Sequence, residues 1–593
     1  MYDRRLVATG AAIAVVAVVA LAVMVAAPRS LMGKLDALAR QQLGRSVAAT
    51  GGAHLDFLPL SLRLEGATLS GATADGDSLV TAKAATLPVT LGQILGAAPA
   101  LAEITLAEPE FALLIDERGE ASWDFPGLTP AGSLRLKLEE GRMRYFDARN
   151  SQSLTLGRLN GTLDIRADGG ASYSGTAVIN DRLVRIDADL KSLARVNADG
   201  SPLEVALAAD DGAASFSGRL ATGQVLSLAG PVSLSSQSPA GALRLVGLPL
   251  PEGTKVTGPV TVDGALDSAG RAFAIRNATL SVGAFQGLGE LGADLRNAVP
   301  KLQAHLAADT LWLDSFLPAA GAKDGDWGRL PLPFGLLKGF DAEAVIDTRH
   351  LGLGRFTADG SQVKLALAGG KLSLTTVSDV GEDGTLNVTA TVDAAATPPA
   401  VAVNIVANDV AAQPLLGALT GATGLTGTGG FSADVTASGT TQEELIGMMK
   451  GSASLDFVNG EIAGVDLASL MLAAKDKPIE GWSAAPGGTP FSRIAAEGTI
   501  ADGIASFRNA TIEGATASFT VEGLIDALRQ GIAVSATAQA NGQPLLPVAV
   551  IARGPWVKPK IYPDIPSIIT NPAAGGDTKQ DALPQPKPIV PAN

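Results

Sequence analysis

Hydrophobic and polar residues alternate along most of this chain. Runs such as Leu60–Leu64, Leu134–Leu138 and Val363–Leu367 carry an apolar side chain at every second position. Successive side chains of a β-strand point to opposite faces, so this period predicts strands with one apolar and one polar face. Further runs with the same period are Lys371–Leu374, Val401–Ile405 and Ala453–Phe457.

Short clusters of Asp and Gly separate these runs. Asp-Gly between alternating segments is a strong hairpin signal. One strand and one turn about every 10–15 residues predict about 35–50 strands over the chain, too many for one sandwich or barrel. The clusters are Asp75-Gly76, Asp168–Gly170, Asp210–Gly212, Asp359-Gly360, Asp383-Gly384 and Asp502-Gly503.

Three architectures can accommodate so many one-sided strands: a series of sandwiches, a propeller, or one long sheet curled into a trough. A propeller would repeat about every 40–50 residues with a recurring aromatic motif. The chain has no such period and only five Trp. Aromatic residues make up 4% of it, and the inward positions are mostly aliphatic. An apolar trough that side chains leave partly unfilled needs few aromatics, so the composition favours the trough.

The segment Leu6–Ala27 is uncharged and long enough to cross a membrane. As a helix it would measure about 33 Å, against about 30 Å of hydrocarbon. Arg4 and Arg5 precede it and favour a cytoplasmic N-terminus. The alternative is a cleaved signal peptide, but its apolar region would be only about 7–15 residues, and Pro28 is a poor first mature residue. The predicted anchor residues are Leu6, Ile13, Val16, Val19, Leu21, Val23 and Val25.

Few helices are predicted after the anchor. Ser30–Leu43 is amphipathic, and Ser30 is its predicted N-cap. Leu31, Leu35, Leu38 and Leu43 fall near one stripe, and Gly44 ends the helix. It would lie at the membrane–water boundary or plug the near end of the structure that follows.

Two more helices are predicted near the C-terminal end. Capping boxes at Thr440 and Thr441 predict a helix that runs to Lys450 and ends at Gly451. Asp466 would cap a helix over Leu467–Ala474. The polar, proline-rich tail Asn571–Asn593 is predicted to be disordered.

Charge and composition exclude several classes of function. Lys and Arg number 45 against 59 Asp and Glu, a net charge of −14, which disfavours nucleic acid. The chain has no cysteine, so no disulfide stabilises it, and a bacterial periplasm suits so large an exported chain. His54, His305 and His350 are far apart in sequence and do not form a metal motif.

No motif in the chain indicates catalysis. Gly287–Gly292 matches GxGxxG, but a strand-like run follows it in place of the helix that a dinucleotide site needs. Gly424–Gly430 lacks the lysine of a phosphate loop. We therefore predict a protein that is not an enzyme, with no catalytic residues, cofactor or metal.

Two stretches carry degenerate motifs in a fixed order. Leu43–Phe125 contains Gly44-Arg45, the segment Phe57–Leu62, Ile104-x-Leu106, Pro109, and Asp116-x-x-Gly119-x-x-x-Trp123. Leu445–Asp564 contains Gly451, Asn459-Gly460, Ile462, Gly464 and Asp466-Leu467, and closes with GPWVKPKIYPD. Between them, Phe334–Ser373 adds Asp359-Gly360 and Gly370–Leu372. Together these features resemble the AsmA family.

The resemblance implies a single-pass protein of the bacterial inner membrane with most of its chain in the periplasm. It implies a mainly β fold: an N-terminal transmembrane helix, then a long antiparallel sheet curled into a taco-like hydrophobic groove, with a few short helices. The expected domains are residues 1–29 (cytoplasmic start and anchor), 30–440 (AsmA-like groove), 441–570 (AsmA-like C-terminal region) and 571–593 (tail).

The family resemblance also implies a function. AsmA-like proteins are similar to bridge-like lipid transfer proteins and are linked to phospholipid movement toward the outer membrane and to outer-membrane homeostasis. The expected partners are phospholipid acyl chains, the inner membrane and an outer-membrane or periplasmic protein at the distal end. The alternative is a non-enzymatic scaffold or assembly factor for outer-membrane proteins.

The alternating runs supply candidate groove-lining residues. Strand register decides which face points inward, and a slip of one residue exchanges the faces. The candidates are Leu60, Leu62, Leu64, Leu134, Leu136, Leu138, Val363, Leu365, Leu367, Leu455 and Phe457.

Overall fold

A computed structural model describes most of the chain between residues 28 and 563. Three predicted features lie outside the described residues: the anchor Leu6–Ala27, the turn Asp75-Gly76 and the tail Asn571–Asn593. Within the described part, no helix is both long enough and apolar enough to span a membrane. The residues inside 28–563 that are not described are 42–43, 72–77, 95–101, 124–132, 150–151, 180–181, 194, 197–198, 224, 246–257, 316–326, 355, 421–423, 468, 470–486, 516, 541–542, 545–548 and 557–558.

The described residues form one sheet of 30 strands, which confirms a mainly β fold with one long sheet and few helices. The first sixteen strands are β1 Val47–Phe57, β2 Leu60–Ser70, β3 Ser78–Pro88, β4 Glu103–Ala107, β5 Glu110–Ile115, β6 Leu134–Asp147, β7 Gln152–Ile165, β8 Ala171–Ile179, β9 Arg182–Leu190, β10 Ser201–Ala209, β11 Gly212–Ala221, β12 Ser227–Ser236, β13 Val260–Ala269, β14 Ala272–Val282, β15 Phe285–Asp294 and β16 Lys301–Trp312.

The remaining strands follow a long connection after β16. They are β17 Asp341–Leu353, β18 Phe356–Ala368, β19 Lys371–Val380, β20 Gly384–Asp393, β21 Ala400–Ala411, β22 Thr428–Ser438, β23 Lys450–Ala463, β24 Gly488–Ala501, β25 Ile504–Glu513, β26 Ser518–Asp526, β27 Gly531–Ala540, β28 Gln543–Pro544, β29 Val550–Pro555 and β30 Lys560–Pro563.

Strands that follow one another in sequence pair side by side almost throughout the sheet. The pairing is antiparallel except that β4 and β5 pair with β6, and β16 pairs with β17, in parallel. The fully antiparallel sheet that we predicted is wrong at these two places, because a connection there crosses the sheet before the next strand begins. At about 4.8 Å per strand, 30 strands would extend at most about 140 Å.

The sheet has two long rims, where the chain turns. Rim A carries the β1–β2, β7–β8, β11–β12 and β22–β23 turns, and rim B carries the β6–β7, β10–β11, β17–β18 and β21–β22 turns. The connection from β16 to β17 starts at rim B and reaches rim A. There Trp327 Nε1 donates a hydrogen bond to the Ala527 carbonyl (3.0 Å), and Arg329 pairs with Glu443 (2.7 Å).

Short helices precede or follow some of the strands. They are α1 at residues 28–41, α2 Leu91–Ile94, α3 Pro239–Leu245, α4 Ala412–Thr420 and α5 Gln442–Gly447. Helix α1 begins before Ser30, so Ser30 is not its N-cap, whereas the Gly44 N–H donates to the Arg40 carbonyl (3.1 Å) at its C-terminal end. Leu31 and Leu35 of α1 are buried in the same cluster as strand residues of β2–β4, so α1 packs against the near end of the sheet.

The predicted helix over Thr440–Lys450 is too long. Thr441 caps α5 by accepting a hydrogen bond from the Glu444 N–H (3.1 Å), but the helix ends at Gly447. Lys450 already pairs with β22, and Gly451 has φ +152°. A Cβ at Gly451 would lie 1.9 Å from the Asp434 carbonyl oxygen, so this glycine allows close strand pairing and does not end the helix.

Other local predictions have mixed outcomes. Asp466 Oδ1 accepts a hydrogen bond from the Ser469 N–H (2.9 Å), as expected of a helix cap, and residues 470–474 lie outside the described residues. Asp359-Gly360 is not a hairpin turn but a bulge inside β18. The four remaining Asp-Gly clusters lie at turns, and Gly287–Gly292 lies within β15.

Candidate functional site

One side of the sheet is apolar from strand to strand. Leu207 pairs with Ala214, Ala214 with Leu234, Leu234 with Val262, and Val262 with Leu280, across β10 to β14. Partners in register point to the same side of a sheet, so this row lies on one face. We call this side the apolar face.

The apolar face continues to both ends of the sheet. Leu207 packs against the cluster that contains α1, and its partner Ala214 packs against a cluster on β12 and β13. Leu280 packs against that second cluster and also against a third, which extends from β15 to β29. Contacts between apolar side chains therefore connect the first strands to the last.

The apolar face is more deeply buried in the half near rim B than in the half near rim A. Toward rim B in β23, Phe457 is 0% exposed, whereas Leu455 and Ala453, toward rim A, are only partly buried. Helix α4 extends from rim B, and its Ala412 and Leu415 are buried in the same cluster as Phe457. The half near rim B is thus filled with side chains.

The half near rim A and the middle strands are less covered. On the apolar face of β10–β12, Val205, Leu207, Phe216 and Val232 all remain partly accessible to solvent. These strands carry nearly perfect alternation of partly buried and exposed positions. The middle of the sheet therefore presents apolar side chains that the other described elements do not cover completely.

The opposite face is polar and solvated. Arg135 pairs with Asp164 across β6 and β7 (2.7 Å), and Arg493 pairs with Asp456 across β23 and β24. The Arg493 hydrogen bonds lower the pKa of Asp456. Both pairs are substantially exposed, so each stabilises the fold by only about 0–1 kcal/mol. A cavity of about 980 Å³ at β7–β13 is lined by carboxylates and hydroxyls such as Asp187 and Ser215, and also by Val205, Phe216 and Val232.

The two rims are in contact at the β6–β7 turn. Arg149, at rim B, donates hydrogen bonds to the carbonyl oxygens of Gly223 (2.5 Å) and Thr222 (3.3 Å), at rim A. Its guanidinium also holds both carboxylate oxygens of Asp147, which is 0% exposed. Leu226 at rim A packs against the cluster of Tyr145. We call the contacts of Asp147, Arg149, Thr222 and Gly223 the rim clasp.

Tyr145 lies beside the rim clasp. Burial, and then the charge of Asp147, raise the pKa of Tyr145 to about 12. Within the described residues the buried Tyr145 hydroxyl has no hydrogen-bond partner, and its ring lies 6.1 Å from that of Trp123. The environment therefore strongly favours the neutral phenol.

The near end of the sheet exposes apolar side chains at rim A. Leu58, in the β1–β2 turn, is 97% exposed, and Leu91 of α2 is 68% exposed. The two belong to neighbouring elements, since the Val89 N–H donates to the Leu60 carbonyl (3.2 Å). Helix α1 packs at the same end of the sheet, since its Leu31 and Leu35 are buried in one cluster with residues of β2–β4.

The structure places the predicted groove-lining residues as follows. Leu62, Leu64, Leu136, Leu138, Val363, Leu367 and Phe457 are buried, and Leu60, Leu134, Leu365 and Leu455 are partly buried. Contact with lipid at these positions stays a prediction. The anchor residues Leu6, Ile13, Val16, Val19, Leu21, Val23 and Val25 lie outside the described residues. Sequence reasoning missed the rim clasp entirely.

This geometry defines the class of protein: an elongated single sheet with one apolar face. The model of the AsmA family matches residues 340–510, from the start of β17 into β25, and this match confirms the AsmA assignment over those strands. Searches of curated proteins and of solved structures gave no significant match. The match does not include Leu43–Phe125, so the resemblance there stays a prediction.

Proposed function

We propose that the protein carries phospholipid between the bacterial inner and outer membranes along its apolar face and so supports outer-membrane homeostasis. The observation that carries this proposal is the continuous apolar face whose middle strands and rim A half are only partly covered. Removing an acyl chain from water contributes about 0.8 kcal/mol for each buried CH₂. The lipid headgroups would remain in solvent along the uncovered rim A half of the apolar face.

In this proposal the sheet is a taco-like groove with its rims drawn together at the rim clasp. The near end, where α1 packs, would lie at the inner membrane, because Leu6–Ala27 directly precedes α1 and is long enough to span it. Leu58 and Leu91 support this orientation, since exposed apolar side chains suit a bilayer surface. The body would occupy the periplasm, and an outer-membrane or periplasmic protein would receive lipid at the distal end.

No chemical step is needed for this transport. Acyl chains move between equivalent apolar positions, so the proposal includes no catalytic residue, metal or cofactor. An enzyme would need a convergent set of reactive groups in a cleft, and the proposed path along the apolar face is lined mainly by aliphatic side chains.

A scaffold or assembly factor for outer-membrane proteins is the second candidate. The filled half of the apolar face near rim B favours it, because a packed core leaves less room for lipid. A lipid carrier would be purified with bound phospholipid, whereas a scaffold would be purified without it.

Native mass spectrometry of the full chain, with extraction of bound lipid, tests the proposal. A lipid carrier is expected to retain several phospholipids per chain. A lipid-free chain that captures outer-membrane assembly components would contradict it and favour the scaffold.

A further inference from the structure

Three hydroxyl groups on the apolar face have no hydrogen-bond partner among the described residues. They belong to Ser361 on β18 and to Thr376 and Ser378 on β19. Each side chain is almost completely buried. Buried polar groups in proteins nearly always have partners, so three unsatisfied hydroxyls close together need an explanation.

Strand register brings the three hydroxyls together. Asp359 pairs with Asp379 and Gln362 pairs with Val377, so the intervening bulge places Ser361 opposite Ser378. Thr376 lies two residues from Ser378 on the same face. The neighbouring hydroxyl of Thr348 differs, because it has backbone carbonyl acceptors at Asp309 and His350.

The hydroxyl patch of Ser361, Thr376 and Ser378 lies where the filled and uncovered halves of the apolar face meet. Helix α4 follows β21 and contacts β18, so it crosses β19 and β20 near rim B. Toward rim A, Leu365 and Leu374 on the same strands are only partly buried. An acyl chain along Leu365 and Leu374 would therefore end beside the patch.

The chemistry of the patch selects an acceptor. Each hydroxyl brings one donor, and no carbonyl or carboxylate in the described part of the chain receives it. On a face that holds acyl chains, the acceptor that accompanies those chains is the ester carbonyl of the lipid. A buried water molecule could also accept these hydrogen bonds.

We propose that Ser361, Thr376 and Ser378 form a binding site for the ester carbonyl oxygens of a diacyl phospholipid. This inference rests on the proposed lipid-carrying function and adds to it a preference for ester-linked lipid. The site holds one lipid at the edge of α4 by hydrogen bonds in addition to apolar contact.

The test compares two lipids that differ only at the carbonyls. The full chain is exchanged into an equimolar mixture of diester and diether phosphatidylethanolamine with equal chain lengths, and native mass spectrometry counts each bound species. The wild-type chain is expected to favour the diester about fivefold at one site, the effect of roughly one net hydrogen bond. The triple variant Ser361→Ala, Thr376→Val, Ser378→Ala is expected to bind both lipids equally.

Stability separates this role from a purely structural one. The triple variant removes unsatisfied donors, so its thermal midpoint is expected to rise while its ester preference disappears. Thr489→Val is the matched control. Its hydroxyl donates to the Val465 carbonyl (2.6 Å) and accepts from the Leu467 N–H (3.0 Å), so its loss is expected to lower the midpoint and leave the ester preference intact.

Three outcomes overturn the proposal. Equal retention of both lipids by the wild-type chain, together with a more stable triple variant, would mean that the hydroxyls bind only water. An ester preference that survives in the triple variant would place its origin elsewhere. A wild-type chain that retains no lipid of either kind would overturn the proposed function as well.

Discussion

Arg149, in the turn between β6 and β7, donates a 2.5 Å hydrogen bond to the carbonyl oxygen of Gly223, in the turn between β11 and β12. These turns lie on opposite rims of the sheet. Four strand spacings separate β7 from β11, about 19 Å, and each strand adds about 30 Å between the rims. A flat sheet could not form this hydrogen bond, so the sheet is bent between β6 and β12 and its two rims are in contact there.

Loss of the Arg149 side chain should open the rim clasp. Arg149→Ala leaves the buried carboxylate of Asp147 without its cation, which we expect to cost roughly 3 kcal/mol. Hydrogen exchange of the β6–β7 and β11–β12 turns measures the local free energy of opening. Arg493→Ala is the control, because its ion pair with Asp456 is exposed and its loss should cost under about 1 kcal/mol. Equal exchange in both variants would contradict a structural role for the clasp.

A charge on the apolar face should block lipid transfer without unfolding the protein where the face is partly accessible. We expect Leu365→Asp to lower transfer between vesicles by at least about tenfold, because acyl chains would have to pass a carboxylate at a cost of several kcal/mol. Ala366→Asp, one residue away on the polar face, should transfer normally. Normal transfer by a folded Leu365→Asp variant would contradict the conduit.

Phe457→Asp should behave differently from Leu365→Asp. Phe457 is completely buried, so a carboxylate there would be desolvated among apolar side chains and should disrupt the packing around α4. Circular dichroism and limited proteolysis are expected to detect local unfolding. A stable Phe457→Asp variant would mean that this half of the apolar face is open.

Sequence alternation could predict the strands and the division into two faces, because burial of one face imposes a period of two. It predicted that Leu62 and Phe457 would point to one side together with their neighbours. It could not show that Phe457 is completely buried and Leu365 is not, because that depends on α4, which follows β21 and packs into the cluster that contains Phe457.

The rim clasp and the hydroxyl patch differ in whether the sequence could have predicted them. The rim clasp joins residues 74 positions apart, and no local pattern marks Asp147 or Arg149. The hydroxyl patch left a signal, since Thr376 and Ser378 continue the inward series of Leu372 and Leu374. The hydroxyl patch could have been predicted from these polar residues, because they occupy inward positions of an alternating run.

The near end of the sheet should contact a bilayer. The chain has no cysteine, so Leu58→Cys can carry a single environment-sensitive fluorophore in the full protein reconstituted into vesicles. We expect a blue-shifted emission that lipid-borne quenchers reduce, because Leu58 would insert among acyl chains. Leu183→Cys, at an exposed leucine of β9, is the control and should not be quenched. Reconstituted protein without quenching at position 58 would contradict this orientation.

Tyr145 should make stability depend on pH in the alkaline range. Folding raises the pKa of Tyr145 from 10.0 to about 12. The contribution of its neutral phenol to the free energy of unfolding is therefore fully present below about pH 10 and is lost as the pH rises toward 12. We expect Tyr145→Phe to stabilise the fold by about 1 kcal/mol at neutral pH, since it removes an unsatisfied hydroxyl. Its advantage should grow between pH 10 and 12. Urea unfolding of both proteins across this range measures the difference, and a constant difference would contradict the burial of the phenol.

Photocrosslinking at adjacent positions of β10 distinguishes a lipid path along the apolar face from a path along the polar face. A benzoylphenylalanine at Leu207 would lie on the apolar face, and one at Ala208 would lie on the polar face of the same strand. In cells, we expect a phospholipid adduct at position 207 and none at position 208. Equal labelling of the two positions, or no lipid adduct at position 207, would contradict a lipid path along the apolar face.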